Sequence, residues 1–193
     1  MRLVLGVDSA KSSETLWDIA VKELGTAPAF WGRYLTDGHV GATPLTPEEA
    51  EFLHTRRCEV VLIYNAITKD SCQTRDHAER HASEATRLAK ELGVPEGVVI
   101  FGDIEHGWAV TEQFEERWEA EMLMHGYCPG LYLPVGLYAP SLVKLWRPWW
   151  IGDISQMTTP LTLLEHWDIL QYANKEELDL NVTIENNLPL WAG

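Results

Sequence analysis

Asp103 and Glu105 close the stretch Gly97-Val98-Val99-Ile100-Phe101-Gly102-Asp103-Ile104-Glu105. The four consecutive large apolar residues after Pro95-Glu96-Gly97 predict a strand buried on both faces, as in a parallel sheet covered by helices. Side chains alternate along such a strand, so Asp103 and Glu105 point one way, with Cα atoms about 6.5–7 Å apart, and Ile104 points the other. Two carboxyls held this close suit proton transfer, because mutual repulsion and burial keep one of them protonated. In parallel α/β architectures, ligands bind beyond the carboxyl ends of the strands, so the location fits the chemistry too. Neutralised by arginines or helix N-termini, the same acids would serve stability alone.

The elements that must hold this pair can be read outward from it. Leu3-Val4-Leu5-Gly6-Val7-Asp8 is a short buried strand that also ends in an acid. Leu16, Ile19, Ala20 and Leu24 then recur at helical spacing up to Gly25. Ala29 to Leu35 and Glu59 to Asn65 read as further strands. Between them Thr46-Pro47-Glu48-Glu49 opens a helix, with Thr46 as N-cap, Pro47 at the first position and Glu49 closing a capping box. A stripe of Ala78, Ala82, Ala85, Ala89 and Leu92 marks the helix before Gly93-Val94-Pro95, and Thr111 caps another that turns Phe114, Trp118 and Met122 inward. Four βα units in a row imply a parallel sheet.

After Gly126 too few residues separate the strand candidates for full helices. Those candidates are Gly130–Leu133 with Gly136–Tyr138, Pro148–Asp153, Asp168–Tyr172 and Leu178–Asn181, with at most a short helix over Pro140 to Trp146. The prediction is one α/β domain over residues 1–193: a modified TIM-like (β/α) barrel of about eight strands and five helices whose second half has lost its helices.

The 193-residue chain is 46% hydrophobic and 23% charged, ordinary for a globular domain, but its net charge is −14. That charge argues against nucleic acid and anionic membranes as partners, and no apolar run approaches the roughly 18–20 residues that span a bilayer. Three cysteines, Cys58, Cys72 and Cys128, have no metal-like spacing and favour a reducing compartment. With no signal peptide to be read, the protein is expected to be a monomer made in the cytoplasm, released by lysis or a dedicated export route.

Several of these segments resemble a known family. Gly6-Val7-Asp8, the Leu45-Thr46-Pro47-Glu48-Glu49 helix opening before a strand ending in Tyr64, and Gly93-Val94-Pro95 before Asp103-Ile104-Glu105 resemble the glycoside-hydrolase-like domain family 1906 of unknown function. Gly126-Tyr127 before Gly130-Leu131-Tyr132, then Trp149-Trp150-Ile151-Gly152-Asp153, Gln171-Tyr172 and Asp179-Leu180-Asn181, are similar to the related family 25 lysozymes. The resemblance implies a five-helix modified barrel whose cleft is lined by Asp8, Asp103, Glu105 and Asp179, with Glu105 as general acid. The second-strand sequence Phe30-Trp31-Gly32-Arg33-Tyr34 and the missing export signal depart from the secreted lysozymes.

On this reading the function is that of a glycosidase acting on an amino-sugar polymer such as peptidoglycan; the alternative is a catalytically silent glycan-binding barrel. Glu105 protonates the leaving oxygen, its pKa raised by Asp103 and burial, while Asp103 or Asp8 stabilises the oxocarbenium-like transition state. Trp31, Tyr34, Tyr64, Trp108, Trp149 and Trp150 fall at or past predicted strand ends, where they would either stack on sugar rings or fill the core. Asp153 and Gln171 join them as candidate substrate contacts through their motifs. Arg33 would hold Asp103 or Asp8 ionised, or touch substrate. His77 and His81 lie four apart on a helix but lack the Glu after the first His that a zinc-protease pattern needs, and no metal or organic cofactor is required.

Overall fold

The computed structural model of the protein describes residues 2–38, 42–105, 107–134, 149–152, 168–184 and 188–193, with the backbone alone for 134 and 149–152. In chain order the elements are β1 (Leu3–Ser9), α1 (Ser13–Leu24), β2 (Phe30–Tyr34), α2 (Pro47–Thr55), β3 (Glu59–Tyr64), α3 (Arg75–Glu91), β4 (Val99–Asp103), α4 (Glu112–Met124), β5 (Cys128–Pro134), β6 (Trp149–Gly152), β7 (Ile169–Asn174) and β8 (Asp179–Ile184). The eight strands close into a barrel in sequential order. Four helices lie among the described residues, one after each of the first four strands; the short fifth candidate, Pro140 to Trp146, falls outside them. No helix among those residues is long and apolar enough to cross a membrane.

Neighbouring strands from β1 to β7 run parallel, whereas β8 is antiparallel to both β7 and β1. The α/β pattern predicts the parallel part, since each βα unit returns the chain to the same end. The short connection Lys175 to Leu178, pinned by Lys175 N–H donating to the Leu178 carbonyl, instead turns β7 directly back into β8 as a hairpin.

Two apolar layers follow from the alternation along each strand. Phe30, Val61, Ile63, Val99, Phe101 and Ile169 fill the barrel interior. Val7, Trp31, Leu62, Tyr64, Ile100 and Leu131 face outward and pack against Leu16 and Ala20 of α1, Ala78 and Ala82 of α3, and Trp118 and Met122 of α4. The interior phenylalanines have room only because their neighbours are glycines: a Cβ on Gly6 would stand 2.5 Å from the Phe30 ring, and one on Gly130 2.7 Å from Phe101.

The helix caps form as the sequence predicts, with the side chains of Thr46 and Thr111 accepting from the backbone N–H groups of Glu49 and Phe114. The capping box does not close, however. Glu49 turns away from its own helix start and is buried, its carboxylate accepting from the backbone N–H of Ser13 (2.7 Å) and from Arg33 Nε (2.6 Å).

Candidate active site at the mouth of the barrel

The inward positions of the strands grade from apolar at one end to polar at the other. Val4, Gly6 and Asp8 face in along β1, Phe30, Gly32 and Tyr34 along β2, Val99, Phe101 and Asp103 along β4, and Cys128, Gly130 and Tyr132 along β5. In β8 the order is inverted, so Asp179 comes first and Thr183 last. Because β8 runs antiparallel, its first residue lies at the carboxyl ends of the parallel strands, directly opposite Asp8 in register. In a parallel β8 the same residue would sit at the other end of the barrel.

Asp8, Asp103, Glu105 and Asp179 therefore converge on one mouth. All four carboxyls act on the hydroxyls of both Tyr34 and Tyr132, which burial, followed by those four charges, pushes above the usual tyrosine range. Both phenols are held neutral there. Burial raises Asp8 well above the ordinary aspartate value, with Asp179 and Asp103 adding to the effect, while the Asn181 side-chain amide (2.8 Å to Oδ2) and more weakly Arg33 oppose it. Asp103 is raised first by burial and then by Glu105.

The expected division of labour within the pair is thus altered. The β4 ladder ends at Asp103, but alternation persists one step further, since Ile104 packs outward in the helix-facing core and its N–H donates to the Tyr132 carbonyl (3.1 Å). Glu105 is solvent-exposed, whereas Asp103 is buried. The burial expected to act on Glu105 falls on Asp103 instead.

Several expected substrate contacts have other roles. Trp31 is fully buried, donates from Nε1 to Ser9 Oγ (2.9 Å) and stacks on Trp17 with centroids 5.9 Å apart, so it belongs to the layer between barrel and helices. Tyr64 also points outward, donating to Glu84 Oε2 (2.7 Å) and meeting His81 Nδ1 (3.0 Å). Arg33 is fully buried and spends its guanidinium on the Glu49 carboxylate, the Ser9 carbonyl (2.6 Å) and the Thr43 carbonyl (2.8 Å). It contacts no open surface; its electrostatic effect on Asp8 is the smallest of those acting there. The reason is common to the three: in a strand buried on both faces the outward face meets helices and only the inward face reaches the mouth.

Trp108 is half-buried against the helix-facing core. Gln171 does face inward, accepting from the Tyr132 hydroxyl (2.8 Å) and donating to Asn174 Oδ1 (2.7 Å). The side chains of Trp149 and Trp150, and all of Asp153, lie outside the described residues. Tyr132 and Asn181 were missed by the sequence reading. Their signals were present: Tyr132 lies two residues from Gly130 on one strand face and pairs in register with Asp103, and Asn181 is two residues from Asp179.

Among the described residues no group of three or more His, Cys, Asp or Glu side chains is arranged to hold a metal ion. A cavity of about 430 Å³ bordered by Val4, Phe30, His54, Arg57 and Glu59 opens at the opposite, amino-terminal end of the strands. It contains none of the predicted site residues, and chemistry in parallel barrels belongs to the carboxyl ends.

Residues 25–181 match the family described as Rv2525c-like, glycoside hydrolase-like domain. Among solved structures, an uncharacterized protein of B. stearothermophilus is 23% identical, covers 97% of this chain and 100% of its own, and superposes with a TM-score of 0.81. The Mycobacterium tuberculosis Tat-secreted protein Rv2525c, solved in complex with L-tartrate, is 15% identical over 99% of this chain and 100% of its own, with a TM-score of 0.75. A glycosyl hydrolase 25 of Streptococcus pneumoniae, a virulence factor participating in host cell invasion, is 16% identical over 94% of this chain and 87% of its own, with a TM-score of 0.59. At these identities the likeness concerns the fold. No curated protein matches the chain.

Proposed function

The chain belongs to the Rv2525c-like, glycoside hydrolase-like domain family, and on that premise we propose that it hydrolyses a glycosidic bond in an amino-sugar glycan such as peptidoglycan. The observation that carries this reading is the convergence of Asp8, Asp103, Glu105 and Asp179 around the neutral hydroxyls of Tyr34 and Tyr132 at the carboxyl mouth of the barrel. Hydrolysis of a glycoside needs a proton for the leaving oxygen and negative charge near the anomeric carbon, and paired carboxyls supply both.

Glu105, the exposed member, delivers a proton to the leaving oxygen; as a carboxylate it then takes a proton from the incoming water. Asp8 and Asp103 are buried acids with raised pKa values, so they hold a proton more tightly than exposed aspartates do and, when protonated, donate hydrogen bonds to sugar or N-acetyl oxygens. Glu105, once it has given its proton to the leaving oxygen, carries the negative charge that stabilises the positive charge developing on the sugar ring, more in the transition state than in the ground state. Tyr132, fixed through Gln171 and Asn174, shapes the wall beside them.

The test is to incubate purified peptidoglycan and defined amino-sugar oligomers with the wild type and with Glu105→Gln, following soluble products by mass spectrometry and binding by calorimetry. Product from the wild type and none from a folded, glycan-binding Glu105→Gln variant is expected. Equal product from both would remove Glu105 as the acid. Binding without product at any pH would make the barrel a glycan-binding module, and neither binding nor product would end both readings.

A further inference from the structure

Glu105 lies beyond the last rung of β4, and its carbonyl accepts from the N–H of Trp108 (3.2 Å), so the backbone of residues 107–111 bears on where its carboxyl stands. The chain is held on both sides of Glu105. At the near end Ile104 is tied to β5 through the Tyr132 carbonyl. The far end is tied to the connection between β3 and α3: Thr111 N–H donates to the Cys72 carbonyl (3.4 Å) and Thr111 Oγ1 to the Gln73 carbonyl (2.8 Å), while the Cys72 thiol, whose nearer acceptor is the Lys69 carbonyl (3.2 Å), lies 3.8 Å from the Ala109 carbonyl.

The β3–α3 connection is itself held from behind. Ser71 Oγ lies 2.8 Å from His81 Nε2, His81 Nδ1 lies 3.0 Å from the Tyr64 hydroxyl, and that hydroxyl donates to Glu84. The direction of every bond in this chain follows from one fact. Tyr64 has a single hydroxyl proton and gives it to Glu84, so it must accept from His81 Nδ1–H, which leaves Nε2 to accept from Ser71. Only a neutral imidazole can take both roles, and burial lowers the His81 pKa to about 4.

We propose that His81 is a positioning residue for Glu105, acting through Ser71 and the Cys72–Gln73 backbone to fix residues 107–111, and through the Trp108 N–H the backbone of Glu105, from outside the barrel. This rests on the reading of Glu105 as the acid. The Ser–His–Tyr order resembles the wiring of a nucleophile. Ser71 Oγ, however, already accepts from the backbone N–H (2.8 Å) and the hydroxyl (3.0 Å) of Thr68, which makes it a brace. A misplacement of about 1 Å in an acting group costs up to roughly 100-fold in rate, so such a brace matters to turnover even though it touches no substrate.

The experiment compares His81→Phe, which keeps a ring of similar size but no polar atoms, with Ser71→Ala, which leaves the α3 packing untouched, and with His81→Gln, whose amide can still reach Ser71. Hydrogen exchange over residues 107–111 and alkylation of Cys72 by iodoacetamide, mapped by peptide mass spectrometry, report on the brace directly. Exchange and labelling should rise about tenfold in the Phe and Ala variants, and kcat on peptidoglycan should fall roughly 10-fold or more with KM unchanged. His81→Gln should recover both. Unchanged exchange at 107–111 in both His81→Phe and Ser71→Ala would overturn the proposal, as would a rate loss accompanied by global unfolding and not rescued by Gln. If the wild type yields no product, the glycosidase reading falls, and the exchange result alone still decides whether His81 braces this segment.

Discussion

Asp8 and Asp179 face each other in register across the β1–β8 pair, two acids on antiparallel strands with the amide of Asn181 donating to one of them. Like charges directly opposite one another destabilise a sheet, and burial adds to that cost. The arrangement is sustained because Asp8 retains its proton more tightly than an exposed aspartate does. Asn181, fully buried, is committed to this contact.

Asp8→Asn should stabilise the protein, and only above acid pH. In the unfolded chain Asp8 titrates near the ordinary 3.8, and in the folded protein well above it. Below 3.8 both states are protonated and nothing is lost; above it the unfolded chain gives up its proton while the native state holds on to it, so stability declines until pH has passed the folded value. The variant has no proton to lose. Its Tm should match the wild type near pH 3.8 and exceed it by about 2–4 °C at neutral pH, measured by thermal unfolding across pH.

Glu115 offers the same test away from the mouth. It is fully buried in α4, neither carboxyl oxygen has a hydrogen-bond partner among the described residues, and burial with help from Glu112 raises its pKa to about 7. Its unfolded value is 4.5, so native stability should fall as pH rises from there through about 7. Glu115→Gln should remove that slope, with a Tm advantage absent at acid pH and complete above neutrality. A constant advantage at all pH values would show that the carboxyl is not the cause.

Arg33→Met should be among the most damaging single changes. It leaves the buried Glu49 carboxylate without its cation, a loss of about 3–5 kcal/mol, and frees the carbonyls of Ser9 and Thr43. Denaturant unfolding of Arg33→Met and of Arg33→Met/Glu49→Gln should show partial recovery in the double variant, because the uncompensated charge is then gone.

Trp31→Phe and Tyr132→Phe should separate packing from site. Trp31 is sealed between barrel and α1, so its variant should lose stability, about 1 kcal/mol for the bond to Ser9, while keeping glycan affinity. Tyr132→Phe releases Gln171 among the carboxyls and should weaken glycan binding or turnover with little effect on Tm. Calorimetric titration with the same oligomer reads both.

The four βα units, their caps and the acids at strand ends were legible because each has a local cause: apolar runs, Thr at N-caps, alanine stripes. Which face of a strand looks inward was not. In Phe30-Trp31-Gly32-Arg33-Tyr34 aromatic residues occupy both faces, and a strand buried on both sides carries no polar alternation to orient it. Sequence therefore leaves Trp31 and Tyr64 open between cleft and core and Arg33 between ion pair and substrate contact, and does not single out Tyr132. Glu49 misled for another reason, since a Glu three residues after an N-cap suits the cap equally well until a buried arginine arrives from β2. The direction of β8 had no local signal at all, and Asp179 entered through family resemblance.

The reversed last strand also fixes when the carboxyl cluster can exist. Asn181 and Asp8 are separated by 173 positions, among the longest loops this chain can close, and such contacts are slow to form because their entropy is lost before anything is gained. During synthesis β1 can pair with β2 early, yet its other edge stays open until residues 179–184 have been made and turned back. An open edge is a point of self-association. A nascent or partly folded chain therefore carries that hazard but no complete site, and any activity that requires Asp8 and Asp179 together reports only on molecules that have finished folding.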